Sequence, residues 1–472
     1  MRIKAQYNQH QVSKLNNNPL TAAIPIFTDK ERVLSSLKAV PHIEENYWSL
    51  PEVYQQIELL KLNLLHVPVP QLYALYNKFT SLIIHNYSLY DPLAAKTNKL
   101  QFAVAHTTRK EGFNSIGYME RTTADSVLIS GYSGTGKTTS IRASLSLIPQ
   151  VIEHETFDDK PFRQDQLVWV SFDLPATSSS KALALNFFAA VDNTLGTNYY
   201  SEWKDKGHRS VERHLGQMQL IAVTHHLGLV HIDEIQFMLK YSKQKDSPSF
   251  NIIEALFNKL GIPIVLSCTS QGRESLLADH KRADFTTARR MLNNREFQFS
   301  TYRIKDRFFN EMFDALFASE LCSSETAPGN KFREKFHYLS CGLPAVMARL
   351  AYLHHETVSQ LRAKFSEKEE SYQTDDINRL EKVFNNQFSL VSTALKNLRT
   401  GNVSNFEDQI EKDEQGNICL TNEEVKKAKG KRRVKAVKDV PINSQTPLGM
   451  PEPLLPIDVK GMHKYLEGGV NE

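Results

Sequence analysis

The sequence predicts an α/β protein, a parallel sheet wrapped by helices around a glycine-rich loop and followed by an all-helical region. Three observations predict it. Gly131-Tyr-Ser-Gly-Thr-Gly136-Lys137-Thr138 matches the pattern G-x-x-x-x-G-K-[ST] at every fixed position. Short apolar runs alternate with helical stretches from about residue 124 to 302, and from about 303 to 400 only helical periodicity remains.

Composition sets the outer bounds. A chain of 472 residues exceeds what one hydrophobic core usually supports, so two or three domains are expected. An apolar fraction of 41% is ordinary for a soluble protein. No run approaches the roughly 18 apolar residues needed to span a membrane, and Met-Arg-Ile-Lys-Ala is not a signal peptide, so the expected place is the cytoplasm. Cys268, Cys322, Cys341 and Cys419 are too scattered for a zinc site or a disulfide framework. The net charge of +4 leaves 57 basic residues nearly balanced by 53 acidic ones, which by itself does not argue for nucleic acid.

The elements follow in order. Residues 1 to about 120 carry aromatic and Pro-rich pieces, Tyr47-Trp48 and Val67-Pro68-Val69-Pro70, that suggest extended docking segments around short helices. Leu72, Leu75, Tyr76, Phe79, Leu82 and Ile83 recur at helical spacing and read as the packed face of a helix. Ser126 to Ser130 read as a buried strand, and Thr138 to Leu147 as a helix ending before Pro149. Further strands are expected at Leu167–Phe172, Leu229–Asp233, Ile262–Ser267 and Glu296–Phe299. Helices are expected between them, with Val211, Leu215, Met218 and Ala222 on one face and Ile253, Leu256, Phe257 and Leu260 on another. The last helix should stop near Gly401. Beyond it the chain turns polar and Pro-rich, with eight basic residues among the thirteen from Lys426 to Lys438, and reads as a disordered tail.

A strand, a glycine loop and a helix in succession give the loop a mechanical meaning. Its backbone N–H groups and the helix N-terminus receive phosphates, so Gly131, Ser133, Gly134, Thr135, Gly136, Lys137, Thr138 and Thr139 are the expected ATP-binding residues. Lys137 would reach the β and γ phosphates, and the Thr138 hydroxyl would ligate Mg²⁺. Gly228-Leu-Val-His-Ile-Asp233-Glu234 is an apolar strand ending in two carboxylates and is expected to lie beside the loop strand. Asp233 would hold Mg²⁺ and Glu234 would act as general base on the attacking water. Thr269, ending the next strand, either positions that water or caps the following helix. Arg289 and Arg290 either complete a neighbouring subunit's site as a trans arginine or are solvated surface.

Glycine loop, Asp-Glu strand, hydroxyl-ended strand, trailing arginines and helical lid, in that order, resemble an AAA+ ATPase. Asp233-Glu-Ile-Gln236, Gly261-Ile-Pro-Ile-Val-Leu266 leading to Thr269, and Asn186-Phe-Phe-Ala-Ala-Val-Asp192 resemble the TnsC/TniB family, the AAA+ regulators of Tn-seven-like transposons. Weaker echoes are Asn18-Pro19-Leu20 and Ala394-Leu395 through Arg399-Thr400-Gly401. The resemblance implies an N-terminal region (1–120) for docking a target selector or other partner, an AAA+ core (121–302) and a helical lid (303–402), with the flexible tail (403–472) outside it. It also implies a DNA-associated prokaryotic ATPase that forms rings or filaments on double-stranded DNA and relays a TniQ- or TnsD-like target selector's choice to the transposase. Lys181, Lys204, Lys206 and Arg209 then become candidate phosphate contacts, each otherwise an ordinary solvated cation. One departure is that Cys341-Gly-Leu-Pro344 is followed by Ala345 where many lids carry an arginine, leaving Arg349 as the alternative. Rival readings are a replication initiator or helicase loader, and an ATP-switched signalling or adaptor NTPase. His225-His226 and His354-His355 lack ligand-spaced partners and read as structural.

Overall fold

The computed structural model describes residues 2–111, 125–174, 180–207, 209–236, 262–274, 295–323, 328–365, 372–401 and 406, and elements are numbered in chain order among them. The chain begins with β1 (Arg2–Lys4), α1 (Pro19–Ala22), α2 (Lys30–Leu37), α3 (Glu52–Leu60), α4 (Leu72–Tyr87) and α5 (Ala95–Glu111). Asn18 starts α1 by accepting a hydrogen bond from the Leu20 amide, with Pro19 at the first helical position, where its missing N–H costs nothing. The Asn18 amide also donates to the carbonyls of Tyr87 and Tyr90, at 3.0 and 2.8 Å. The face of α4 expected to pack is buried, and it lies against the helix that follows the glycine loop.

Next come β2 (Ser126–Gly131), α6 (Lys137–Ser146), β3 (Val151–Phe157), β4 (Lys160–Leu167), β5 (Trp169–Asp173), α7 (Ser180–Leu195), α8 (Tyr199–Lys204), α9 (Val211–Thr224), β6 (Leu229–Asp233), β7 (Ile264–Thr269) and β8 (Arg295–Phe299). β2 is buried along its whole length, as a strand covered by helices on both faces of a parallel sheet must be. The five-stranded sheet runs β5-β6-β7-β2-β8, with every pairing parallel. Its register brings Gly131, Thr269 and Phe299 to one level and pairs Asp173 with Asp233. All the chemistry-bearing strand ends therefore meet at the carboxyl edge of the sheet, where open α/β sheets bind ligands.

Two expectations are corrected. The Asp-Glu strand does not lie beside the loop strand, because β7 is inserted between them. The run expected as one strand over Leu167–Phe172 is divided at Val168, whose amide turns to the Gln150 carbonyl; its first residue closes β4 and the rest belongs to β5. A second sheet was not anticipated: β1 pairs parallel with β3, which pairs antiparallel with β4. Its hairpin turns on Asp158 and Asp159, both at positive φ (49° and 60°), the pattern of a type I′ turn.

The C-terminal described region is helical, with α10 (Arg307–Leu316), α11 (Asn330–Ser340), α12 (Pro344–Lys364), α13 (Ile377–Gln387) and α14 (Ser389–Arg399). One buried apolar cluster runs from Leu20 and Phe79 through Val127 and Ile141 to Phe309 and Leu350, so the N-terminal helices, the sheet and the helical region share a core. No helix among the described residues is long and apolar enough to cross a membrane.

Candidate nucleotide site

The loop between β2 and α6 holds its shape through backbone conformations open chiefly to glycine. Gly131 sits at φ +153°, and a Cβ there would stand 2.3 Å from the Phe299 carbonyl oxygen, so β8 can approach only a glycine. Gly134 and Gly136 are also at positive φ, and Gly136 forms the N-cap of α6. Thr135 is fully buried and donates to the Tyr132 carbonyl at 2.7 Å, while Ser133 and Thr139 lie exposed. The Lys137 ammonium is held inside the loop by the carbonyls of Gly131 and Tyr132, at 2.8 and 2.9 Å.

Thr138 and Asp233, 95 residues apart, meet directly, the hydroxyl donating to the carboxylate at 2.7 Å. Asp233 also accepts from the Glu234 amide at 2.9 Å and from the Ser267 hydroxyl. Burial opposes ionisation of Asp233, but the neighbouring His231 ring and these three hydrogen bonds outweigh it and hold the carboxyl below its ordinary value. Burial pushes the His231 imidazole down to about 4, so the ring is neutral at pH 7. Ser267 gives its proton to Asp233, so His231 Nε2, 2.9 Å away, is the donor to Ser267 and its Nδ1 accepts from Ser171 at 2.8 Å. A one-way chain, Ser171 to His231 to Ser267 to Asp233, thus fixes the carboxylate from behind.

Glu234 follows at φ +59°, in the left-handed region, which turns its side chain out of the strand direction. Burial first, then the adjacent Asp233 charge, raises its pKa and makes the ionised form a stronger proton acceptor. The Thr269 hydroxyl accepts from the Gly272 amide at 3.0 Å, the capping geometry, and Thr269 lines the same cavity as Glu234. That cavity, about 500 Å³, is bounded on the sheet side by Ser133, Glu234, Gln236 and Thr269 and on the helical side by Leu343, Ala345 and Arg349. Across it the Ala345 amide donates to the Gly134 carbonyl at 3.2 Å. Arg349 instead turns to the Gln387 carbonyl and lies 5.0 Å from the centre of the Phe388 ring.

Mg²⁺-ATP suits what is present. The loop offers backbone donors and a buried ammonium for phosphates, and Thr138 with Asp233 offers a hydroxyl and a carboxylate, the hard oxygen donors that Mg²⁺ prefers. Bound there, Mg²⁺ would neutralise charge on the β and γ phosphates.

Among the candidate DNA contacts, Lys206 and Arg209 share the segment after α8, and Lys181 reaches it from α7. Lys181 donates to the Gly207 carbonyl at 2.6 Å, and Lys206 and Arg209 lie 5.1 and 5.2 Å from the centre of the Trp203 ring. Burial lowers the pKa of His214 against the opposing Ser210 hydrogen bond, and the Lys181 and Arg209 charges add to the lowering. Lys204 ends α8, exposed. Arg289, Arg290, the helix expected around Ile253–Leu260 and, apart from Phe406, the tail over 403–472 lie outside the described residues.

Sequence reasoning missed Ser171, His231, Ser267 and Gln236. It also missed Arg273, whose guanidinium grips Glu296 while Ser130 donates to the same carboxylate at 3.0 Å. One signal was present: each of three apolar strands carries a single interior polar residue, and buried polar groups need partners.

The sheet order, the loop and the carboxylate pair define an AAA+ P-loop core, with a mostly parallel sheet flanked by helices. Residues 120–277 match the family described as an AAA domain. None of the curated proteins matches the chain. Among solved structures, the FIGL-1 AAA domain is similar at 13% identity and a TM-score of 0.32, over 66% of this chain and 98% of that one. A Walker-type ATPase of Pyrococcus abyssi is similar at 14% identity and a TM-score of 0.32, over 66% and 77%. Cdc6p of Pyrobaculum aerophilum is similar at 13% identity and a TM-score of 0.30, over 59% and 64%. Likenesses of this strength add nothing to the assignment, which rests on the matched segment and the sheet.

Proposed function

We propose that this chain is a Mg²⁺-dependent ATP hydrolase that assembles on duplex DNA and regulates DNA transposition, relaying a target selector's choice to the transposase. The observation that carries the hydrolytic part is the joining of Thr138 to Asp233 at 2.7 Å beside Glu234. Lys137 would bind the phosphates, Thr138 and Asp233 would hold Mg²⁺, Asp233 is fixed by the chain from Ser171, and Glu234 would take a proton from the attacking water. The DNA part is supported by the cations gathered around Trp203 and by the sequence resemblance to transposition regulators. Contacts of this kind supply charge without a base-edge code, which suits binding to DNA of any sequence. An arginine from a neighbouring copy, Arg289 or Arg290, would complete each site in a ring or filament.

Electron microscopy of the full chain with duplex DNA under ATP, a non-hydrolysable analogue and ADP tests the reading. Rings or filaments that require triphosphate, DNA and Lys137 are expected, and Lys181→Ala with Arg209→Ala should weaken assembly on DNA of every sequence alike. Absence of DNA-dependent assembly in all nucleotide states would remove the transposition part and leave the ATPase reading standing.

A further inference from the structure

Resting on the hydrolysis reading, we propose that Gln236 is a positioning residue that sets the orientation of Glu234 and couples it to Thr269 at the end of β7. The segment from Asp233 to Gln236 is held at successive points. The Asp233 carbonyl accepts from the Leu174 amide at 3.0 Å, the Asp233 carboxylate accepts from the Glu234 amide, and the Ile235 amide donates to the Ser267 carbonyl at 3.1 Å. Ile235 is wholly buried, which anchors the backbone against β7. From that anchor Gln236 projects, itself only 8% exposed.

Its amide has one permitted orientation. The Thr269 backbone N–H can only donate, and it points to Gln236 Oε1 at 3.3 Å, so the amide NH₂ is the end that meets Glu234 Oε2. One carboxylate oxygen of Glu234 is thereby tied, and Oε1 is left for a water in the cavity that both residues line. The close fit extends to the helical residues that follow β7, where a Cβ on Gly272 would stand 2.8 Å from the Gln236 Cβ. Gly272 in turn donates to the Thr269 hydroxyl. A shift of Thr269 therefore moves the acceptor end of the same amide whose donor end holds the general base, and Gln236 makes the two move together.

Steady-state ATP hydrolysis and nucleotide affinity of the full chain test this with Gln236→Met, Gln236→Glu, Glu234→Gln and the Glu234→Gln/Gln236→Met double variant. Methionine keeps the length and packing while removing both hydrogen bonds, and glutamate keeps an acceptor for Thr269 but repels Glu234. Both single variants at Gln236 should bind ATP within about twofold of wild type and lose kcat on the order of a hundredfold, the cost of misplacing a reacting group by about 1 Å. The double variant should be no slower than Glu234→Gln alone, because the two residues act as one unit. Wild-type kcat in Gln236→Met, or a loss that adds fully to that of Glu234→Gln, would overturn the role of Gln236 while leaving the hydrolysis reading intact. Wild-type turnover in Glu234→Gln would instead overturn the assignment of the base, and this inference with it.

Discussion

Lys137 is buried yet charged, and what makes this tolerable is the pair of loop carbonyls that receive its ammonium. In the proposed function the same arrangement presents the charge to phosphates, so the residue would serve binding before it serves catalysis. Lys137→Ala should weaken ATP binding by roughly thirtyfold, equivalent to about 2 kcal/mol for a charge-assisted contact, as read by titration of a fluorescent ATP analogue. Unchanged affinity would remove Lys137 from the site. Asp233 accepts hydrogen bonds from three donors, and in the proposed function Thr138 would hold Mg²⁺ together with it. Asp233→Asn should therefore raise the Mg²⁺ concentration needed for half-maximal activity by tenfold or more, a change that Glu234→Gln should not produce.

Elements matter where they approach closely. The turn from α11 to α12 has Gly342 at φ +63°, with a Cβ position only 1.9 Å from the Tyr302 carbonyl oxygen. That turn delivers Ala345 to the Gly134 carbonyl, so it hangs the helical region on the glycine loop. Gly342→Ala should destabilise the protein by about 3 kcal/mol, from combined strain and overpacking, and should loosen nucleotide binding; a denaturation midpoint equal to wild type would contradict the reading. The same elements show what was legible in the sequence. β2, the loop and α6 were readable because strand, glycines and helix are contiguous and their pattern is local. The β3–β4 hairpin was not, since its turn is Asp-Asp rather than Asn-Gly and its partner β1 lies about 150 residues away. The place of β7 between β6 and β2 was equally hidden, because strand order is decided by crossovers rather than by residues within a strand. Lys137, Thr138, Asp233 and Glu234 could be named from their motifs, whereas the role given to Gln236 depends on the left-handed turn at Glu234 and on a backbone amide of another strand.

For the whole molecule, several histidines are buried without charge, and this ties stability to pH. Burial pushes His226 and His355 down to about 3 and His354 to about 4. In the unfolded chain each titrates near 6.5, so below that value the unfolded state binds protons that the folded state refuses. Their contribution is therefore fully present above pH 6.5 and declines as pH falls toward 4, by at most about 1.4 kcal/mol per pH unit for each ring. Chemical denaturation at a series of pH values should show the midpoint dropping steeply across this window, and a flat profile would contradict the account. Because the N-terminal helices, the sheet and the helical region share one apolar cluster, this loss should appear as cooperative unfolding and not as the release of one part.

The proposed function stands on Glu234 acting as the base of an ATP hydrolase assembled on Asp233, Thr138 and Lys137. Single-turnover release of phosphate from Mg²⁺-ATP by wild-type protein and Glu234→Gln tests it most directly. If Glu234 is the base, ATP affinity should agree within about threefold for the two proteins and phosphate release should slow by about a hundredfold or more in the variant. Equal rates of release would contradict it.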